Sequence, residues 1–421
     1  MISVSEYIAR RDNLFEKMDE GSIAILFSGV AKKSNADATY PFEVNRNFYY
    51  LTGIDQENSI LMLVKTDTSK DAYLFIDEKN EKIEKWFGLK LSIEDAINIS
   101  GIKNVLLRSS FNGKLATGLD KDLGHFGDIK TIYLDLDEEQ KIAKATTTRE
   151  FKSFLEANFP GYEIVDIYKD IAALRMVKSK EEVAMIKDAI RTTEVGLNNV
   201  LKTMEVGKYE YNLRNMFEFT VAEDMQAKLA FPTIVASGKN GIILHYPNAV
   251  SLLRDNELVL MDCGASKGYY CADISRTYPI NGKFNEKQRL IYSIVLDCNK
   301  KTAEFMRPGL TLDEVKAFAK NYLAKECVKH GLIENEEEIS RVYYHGCSHH
   351  LGLDTHDVAD DYKKPLEPGN VITCEPGLYF KEFNIGIRIE DDILITPEGS
   401  ECLSKDIIKE IDDIERFLII K

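Results

Sequence analysis

Four carboxylates sit where a buried strand least tolerates them. Leu258 to Met261 is an unbroken apolar run of the kind that fills a buried strand, and it ends on Asp262. "SKG" then offers a turn, and "YYCADISRTY" reads as the returning strand, with Asp273 inside it. Glu375 stands between "VIT" and "PGLYF". In "NIGIRIEDDILIT" the alternation puts Ile385, Ile387 and Ile389 on one face and Gly386, Arg388 and Glu390 on the other. Taken singly, each acid reads as a strand-end carboxylate in a salt bridge or turn. Taken together they call for cations, because buried carboxylates that converge repel one another and resist ionisation. The same region holds "HGCSHHLGLDTHD", His345 to Asp357, with four of the chain's seven histidines. Oxygen ligands with one imidazole suit Mn²⁺, Co²⁺ or Zn²⁺, and two such ions can share bridging carboxylates.

The chain divides ahead of this region. Over the first 170 or so residues, strand-like pieces ("SIAILFSG", "NSILMLVK", "DAYLFID") alternate with helix-like ones ("SVSEYIARRDNLFEKM", "NEKIEKWFG"), the pattern of an α/β unit. Ser179 and Glu182 then form a capping box, followed by Val183, Ile186, Ile190, Leu197, Leu201 and Met204 at helical spacing. The boundary is expected just before that helix, giving units 1–172 and 173–421. Two more helices are expected from Asn285 and Thr311, with Gln288 and Glu314 three residues on. Helices mixed with separately clustered, hairpin-like strands make the second unit α+β.

Charge narrows the partners. A net charge of −15 argues against nucleic acid and anionic membrane, which both reward Lys and Arg. The longest nearly apolar run, "SIAILFSGVA", is about half the length of a transmembrane helix. The first twenty residues carry charges every few positions and no signal-peptide core, so a cytoplasmic protein is expected. The seven cysteines form no C-x-x-C pair and read as reduced, mostly buried thiols.

In order along the chain, "MDCGASKGYYCADISRT", "HGCSHHLGLDTHD", "TCEPGLYF" and "GIRIEDD" resemble the pita-bread metallopeptidases. That group includes aminopeptidase P, prolidase, methionine aminopeptidase and the metal-free relative creatinase. "VNRNFYYLTG" and "KWFGLKL" are similar to the creatinase-like N-terminal domain of aminopeptidase P and prolidase, so the resemblance covers most of the chain. It implies an α/β creatinase-like N-terminal domain followed by an α+β pita-bread catalytic domain. By motif position, Asp262 would chelate one metal ion, Asp273 and Glu390 would bridge two, and His349 and Glu375 would complete the second. His245, in "GKNGIILHYPNA", and His356 match substrate-contacting histidines. His345 matches a pocket histidine, and Arg388 matches an arginine that contacts ligands or substrate. The implied reaction is hydrolysis of the N-terminal Xaa-Pro bond of peptides by a hydroxide bridging two divalent ions, with Glu375 relaying the proton. Mn²⁺ ranks first, then Co²⁺ or Zn²⁺. The implied partners are a peptide with proline at its second position and further copies of this chain, as a homodimer or larger assembly.

Bland readings stand beside these. His125 and His330 lie outside every motif and receive no role. His350 occupies a position where relatives more often carry tryptophan and reads as pocket wall or packing. Cys263, Cys271 and Cys374 adjoin the acids, but alternation points such neighbours away, so packing is expected. Trp86 is either core or an aromatic offered across a subunit interface. Ala359 replaces the glycine of the family's "HDVG". The loop "ADDYKKPLEPGN" has Lys363 and Lys364 but not the arginine that prolidases commonly use on a dipeptide's carboxylate, which favours longer peptides. Two alternatives remain: an Xaa-Pro dipeptidase, and a non-catalytic pita-bread binding protein. The second predicts lost ligands, whereas all five are present.

Overall fold

Six strands form the mixed sheet of the first unit, Ile2–Arg175. They are β1 (Ser22–Phe27), β2 (Ile60–Lys65), β3 (Lys70–Ile76), β4 (Asn104–Leu107), β5 (Thr131–Leu134) and β6 (Glu163–Asp166). Their order is β4-β3-β2-β1-β5-β6; the β1–β2 and β2–β3 ladders are antiparallel and the others parallel. The three apolar runs expected as strands are β1, β2 and β3. Alternation along β1 sends Ile23, Ile25 and Phe27 into a core shared with α1 (Phe111–Leu119) and α2 (Thr147–Asn158). This computed structural model describes every residue except 121, 124, 137–146 and 421.

The division falls at Arg175/Met176, a few residues beyond the expected boundary. The reason is local. Helix α3 (Tyr168–Met176) is tied to the first unit, since Tyr50 donates to the Leu174 carbonyl at 3.2 Å and Arg175 Nη1 donates to Asn47 Oδ1 at 2.7 Å.

The second unit, Met176–Lys421, begins with α4 (Lys180–Thr203), capped by Ser179 and Glu182, which packs on α5 (Glu210–Glu223). Helices α6 (Glu286–Phe305) and α7 (Leu312–Lys329) start with the expected capping boxes at Asn285 and Thr311 and pack together. Between these helices lie small sheets rather than one large one. β7 (Ala227–Leu229), β10 (Ala265–Lys267) and β11 (Tyr270–Cys271) form one; β8 (Ile234–Ser237), β9 (Leu258–Cys263) and β12 (Ile274–Pro279) form another. β13 (Val371–Cys374), β16 (Asp391–Thr396) and β17 (Gly399–Cys402) make a third, and β14 (Gly377–Phe380) with β15 (Ile385–Arg388) a two-stranded fourth.

Two expected strands are each broken in two. "GYYCADISRTYPI" is β11 and β12, in different sheets, and "NIGIRIEDDILIT" is β15 and β16, again in different sheets. The "SKG" turn is present, with Gly268 and Tyr269 both at positive φ, as a tight two-residue hairpin requires. Among the described residues no helix is long and apolar enough to cross a membrane.

Candidate metal centre

The strand breaks place the acids. Asp262 is the next-to-last residue of β9; Asp273 lies between β11 and β12, Glu375 between β13 and β14, and Glu390 between β15 and β16. At the three breaks the chain leaves one sheet for another, which frees the side chain from the alternation of either. Glu375 N–H is held by the Cys347 carbonyl at 2.9 Å and Glu390 N–H by the Ser275 carbonyl at 3.0 Å. His349 arrives from a loop braced on β13, where its N–H donates to Thr373 Oγ1 at 3.1 Å and its carbonyl accepts from Thr373 N–H at 2.9 Å.

The acids and His349 converge. Donor atoms of Asp262, Asp273 and Glu390 lie within 4.8 Å of one another, as do those of His349, Glu375 and Glu390. Glu390 belongs to both groups. Asp273 also reaches the second, with its Oδ2 3.4 Å from His349 Nε2, while Glu375 Oε1 is 3.8 Å from the same nitrogen. A third grouping joins Asp273 and His349 to His356.

Arg388 is fixed against this cluster. Arg388 Nη2 donates to Asp262 Oδ2 at 2.6 Å, and its Nε donates to Ser275 Oγ at 2.7 Å, which in turn donates to Glu390 Oε2 at 2.7 Å. Four carboxylates against the Arg388 guanidinium and the His349 imidazole leave a buried negative excess. Burial raises Asp273 to about 6, against the pull of His349, and Glu375 to about 7. Burial, then Asp273 and Glu375, push Glu390 well above the carboxylate range. Burial alone would lower His349, but Asp273 and Glu375 outweigh it and raise it to about 9. Asp262 Oδ1 is buried with no hydrogen-bond partner. Converging oxygens, an orphaned carboxylate oxygen and one imidazole fit divalent cations held mainly by oxygen.

A cavity of about 440 Å³ opens onto Asp262 and Asp273. Phe231, Pro232, Tyr246 and Pro247 give it apolar walls, and His245 and His356, both exposed, reach its lining. His345 is not among the lining residues. Its Nδ1 donates to the Gly346 carbonyl at 2.5 Å, so its Nε2 accepts the Tyr379 hydroxyl at 2.8 Å. Burial, then Arg388, lowers it to about 3, which keeps it neutral. Tyr379 also accepts from Arg388 Nη1 at 3.2 Å. The relay His345–Tyr379–Arg388 therefore ends on the acids.

Ser275 and Tyr379 were not singled out from sequence. Both follow from register. Ser275 is the partner of Asp262, and Tyr379 lies diagonally across from Arg388 because Gly377 is the partner of Arg388. A Cβ on Gly377 would come within 2.5 Å of the Tyr379 hydroxyl, so the glycine makes room for this contact. Gly386 does the same for the loop leading to His245, since a Cβ there would stand 1.9 Å from the Gly241 carbonyl oxygen.

His350 is buried against β13, with its Nδ1 unpartnered, and stands outside all three donor groups. Cys263, Cys271 and Cys374 are buried cysteines, also outside those groups. Trp86 is 83% exposed, which removes the core reading. Lys364 pairs with Asp360, and neither Lys363 nor Lys364 lines the cavity. His125 and His330 stand apart from the cavity lining and the donor groups.

Comparison with known proteins bears on this geometry. Residues 184–397 match the model of metallopeptidase family M24, and residues 7–123 match that of the aminopeptidase P N-terminal domain. The chain is 32% identical to the Xaa-Pro aminopeptidase of Escherichia coli, over 99% of this chain and 98% of that protein. It is similar to a solved Bacillus anthracis structure provisionally assigned to aminopeptidase P, at TM-score 0.96 and 44% identity, covering 100% and 99% of the two chains. It is also similar to aminopeptidase P from Escherichia coli with the inhibitor Pro-Leu, at TM-score 0.90 and 31% identity, with the same coverage.

Proposed function

This chain belongs to metallopeptidase family M24, and on that premise we propose that it is an Xaa-Pro aminopeptidase, removing the residue that precedes proline at a peptide's N-terminus. The observation that carries the reading is the donor cluster, with Glu390 common to two ligand groups, beside a cavity with apolar walls and exposed histidines. The family's metal dependence becomes, in this reading, two divalent ions held by Asp262, Asp273, His349, Glu375 and Glu390, with Mn²⁺ first. Bound there, such ions lower the pKa of coordinated water into the neutral range.

The remaining steps belong to the chain. Phe231, Pro232, Tyr246 and Pro247 accept a proline ring, which has no N–H to offer a polar wall. His245 and His356, at the cavity, hydrogen-bond the peptide near the scissile bond. Arg388, fixed by Ser275 and Tyr379, holds Asp262 and Glu390 in place while substrate exchanges. Glu375, one of the acids at the centre, carries a proton to the leaving nitrogen. His345 meets the Tyr379 hydroxyl on one side and stands 3.6 Å from Glu375 Oε2 on the other, which places it beside the proton-carrying acid.

With Lys364 committed to Asp360, no cation among the lining residues awaits a dipeptide's carboxylate, so longer peptides are the expected substrates. Rates on Xaa-Pro and Xaa-Pro-Yaa-Zaa with added Mn²⁺, Co²⁺ or Zn²⁺ test this. Faster cleavage of the tetrapeptide is expected; preference for the dipeptide selects a prolidase, and inertness with all three ions removes the peptidase reading. The free thiols suit a reducing compartment, and we place the protein in the cytoplasm. Exposed Trp86, Phe87 and Leu89 fit a contact between copies of this chain in a homo-oligomer. Trp86→Glu is expected to sediment as a smaller species than wild type; identical sedimentation rejects that contact.

A further inference from the structure

We infer that Asn299 is a positioning residue for the metal centre, its carboxamide fixing the two backbone exits that present Glu375 and Glu390. The inference rests on the metallopeptidase reading of those two acids. Asn299 lies within α6 and is fully buried. An asparagine is a poor choice for a helix interior, and a buried carboxamide is costly unless its donors and acceptor are met. Here they are met by groups that matter to the site. Nδ2 donates to the Cys374 carbonyl at 3.1 Å and to the Ile389 carbonyl at 3.3 Å. Those carbonyls belong to the residues immediately before Glu375 and Glu390, at the points where β13 and β15 end.

The acceptor side is anchored as firmly. Asn299 Oδ1 accepts from Lys409 Nζ at 2.9 Å, and the same ammonium meets Asp391 Oδ2 at 2.5 Å. Asp391 Oδ1 accepts from Arg276 Nη2 at 2.8 Å, and Arg276 Nη1 donates to the carbonyls of Ser275 and Glu390, at 3.0 and 2.5 Å. The backbone around Glu390 is thus held at each polar group: Ile389 carbonyl by Asn299, Glu390 N–H by Ser275, Glu390 carbonyl by Arg276. Asn299 extends this brace to Glu375. A single amide with two N–H bonds spans both exits, so the spacing of the two carboxylates is set by one rigid group. Arg388 and Ser275 act on the carboxylates; Asn299 acts on the chain that carries them.

Asn299→Asp is the sharp test, because it keeps volume and the acceptor for Lys409 but removes both donors. Asn299→Ser is the neutral second variant, with one donor for two carbonyls. Calorimetric titration of metal-stripped protein with Mn²⁺ is the readout, beside circular dichroism and peptide kinetics at saturating Mn²⁺. Folded variants are expected to bind Mn²⁺ about 10- to 100-fold more weakly, with KM for peptide near wild type and kcat reduced. Wild-type Mn²⁺ affinity in a folded Asn299→Asp overturns the inference. Failure of both variants to fold also overturns it, making Asn299 a determinant of the fold. Failure of the wild-type protein itself to bind Mn²⁺ overturns the reading of the centre instead.

Discussion

Glu390→Gln is expected to leave a folded protein that has lost tight Mn²⁺ binding and lowers kcat/KM by on the order of 10³ or more. Glu390 is the acid common to the Asp262–Asp273 group and the His349–Glu375 group, so its loss weakens both at once. Glutamine keeps the shape and can still accept from Ser275 Oγ, which now meets Glu390 Oε2 at 2.7 Å. It also relieves repulsion, since Asp273, Glu375 and Asp262 all push Glu390 away from its charged form. Metal-stripped Glu390→Gln should therefore melt at or above the temperature of metal-stripped wild type. A merely structural acid predicts the reverse, with a lower melting temperature and intact Mn²⁺ affinity. Melting curves of both stripped proteins and a Mn²⁺ titration of each separate the cases.

The local features were legible because they depend on neighbours in sequence. The capping boxes at Ser179, Asn285 and Thr311 open helices where expected, and the apolar runs of the first unit are its central strands. The family motifs named the acids and His349, and the structure brings those residues together. What sequence did not show is that the chain changes sheets at Asp273, Glu375 and Glu390. Apolar character continues through such a break, because the strands flanking it are buried on both faces, so periodicity alone cannot find it. Ser275 and Tyr379 were missed for a related reason: their contacts depend on register across strands. Asn299 was missed because its partners are carbonyls 75 and 90 residues away. A polar residue inside an otherwise packed helix was the available signal. His345, expected at the site by motif position, stands with its Nδ1 3.6 Å from Glu375 Oε2 and its Nε2 on Tyr379.

The stability of the metal-free protein should fall as pH rises from about 5 to about 8, and bound Mn²⁺ should abolish that fall. Folding raises Glu375 from 4.5 to about 7 and Asp273 from 3.8 to about 6, burial being the main cause in both. A group whose pKa is raised on folding contributes fully below its unfolded value, and that contribution is lost as pH rises through the folded value. Each shift is worth on the order of 3 kcal/mol, lost by about pH 7 to 8. His349, raised to about 9 by Asp273 and Glu375 against burial, has the same sign and extends the decline upward. Asp391 has the opposite sign, but Arg276 and Lys409 hold it so low that its effect belongs to acid conditions outside this window. Divalent ions need these acids ionised and His349 neutral, so binding releases protons and replaces the repulsion with ligation. The gap in Tm between Mn²⁺-loaded and stripped protein should therefore widen from about pH 5 to about pH 8. Calorimetry in two buffers of different ionisation enthalpy should report proton release near pH 6. A gap that stays flat with pH, with no proton release, would mean the carboxylates are already ionised without metal, and that the cluster's charge is balanced by Arg388 and the protein alone.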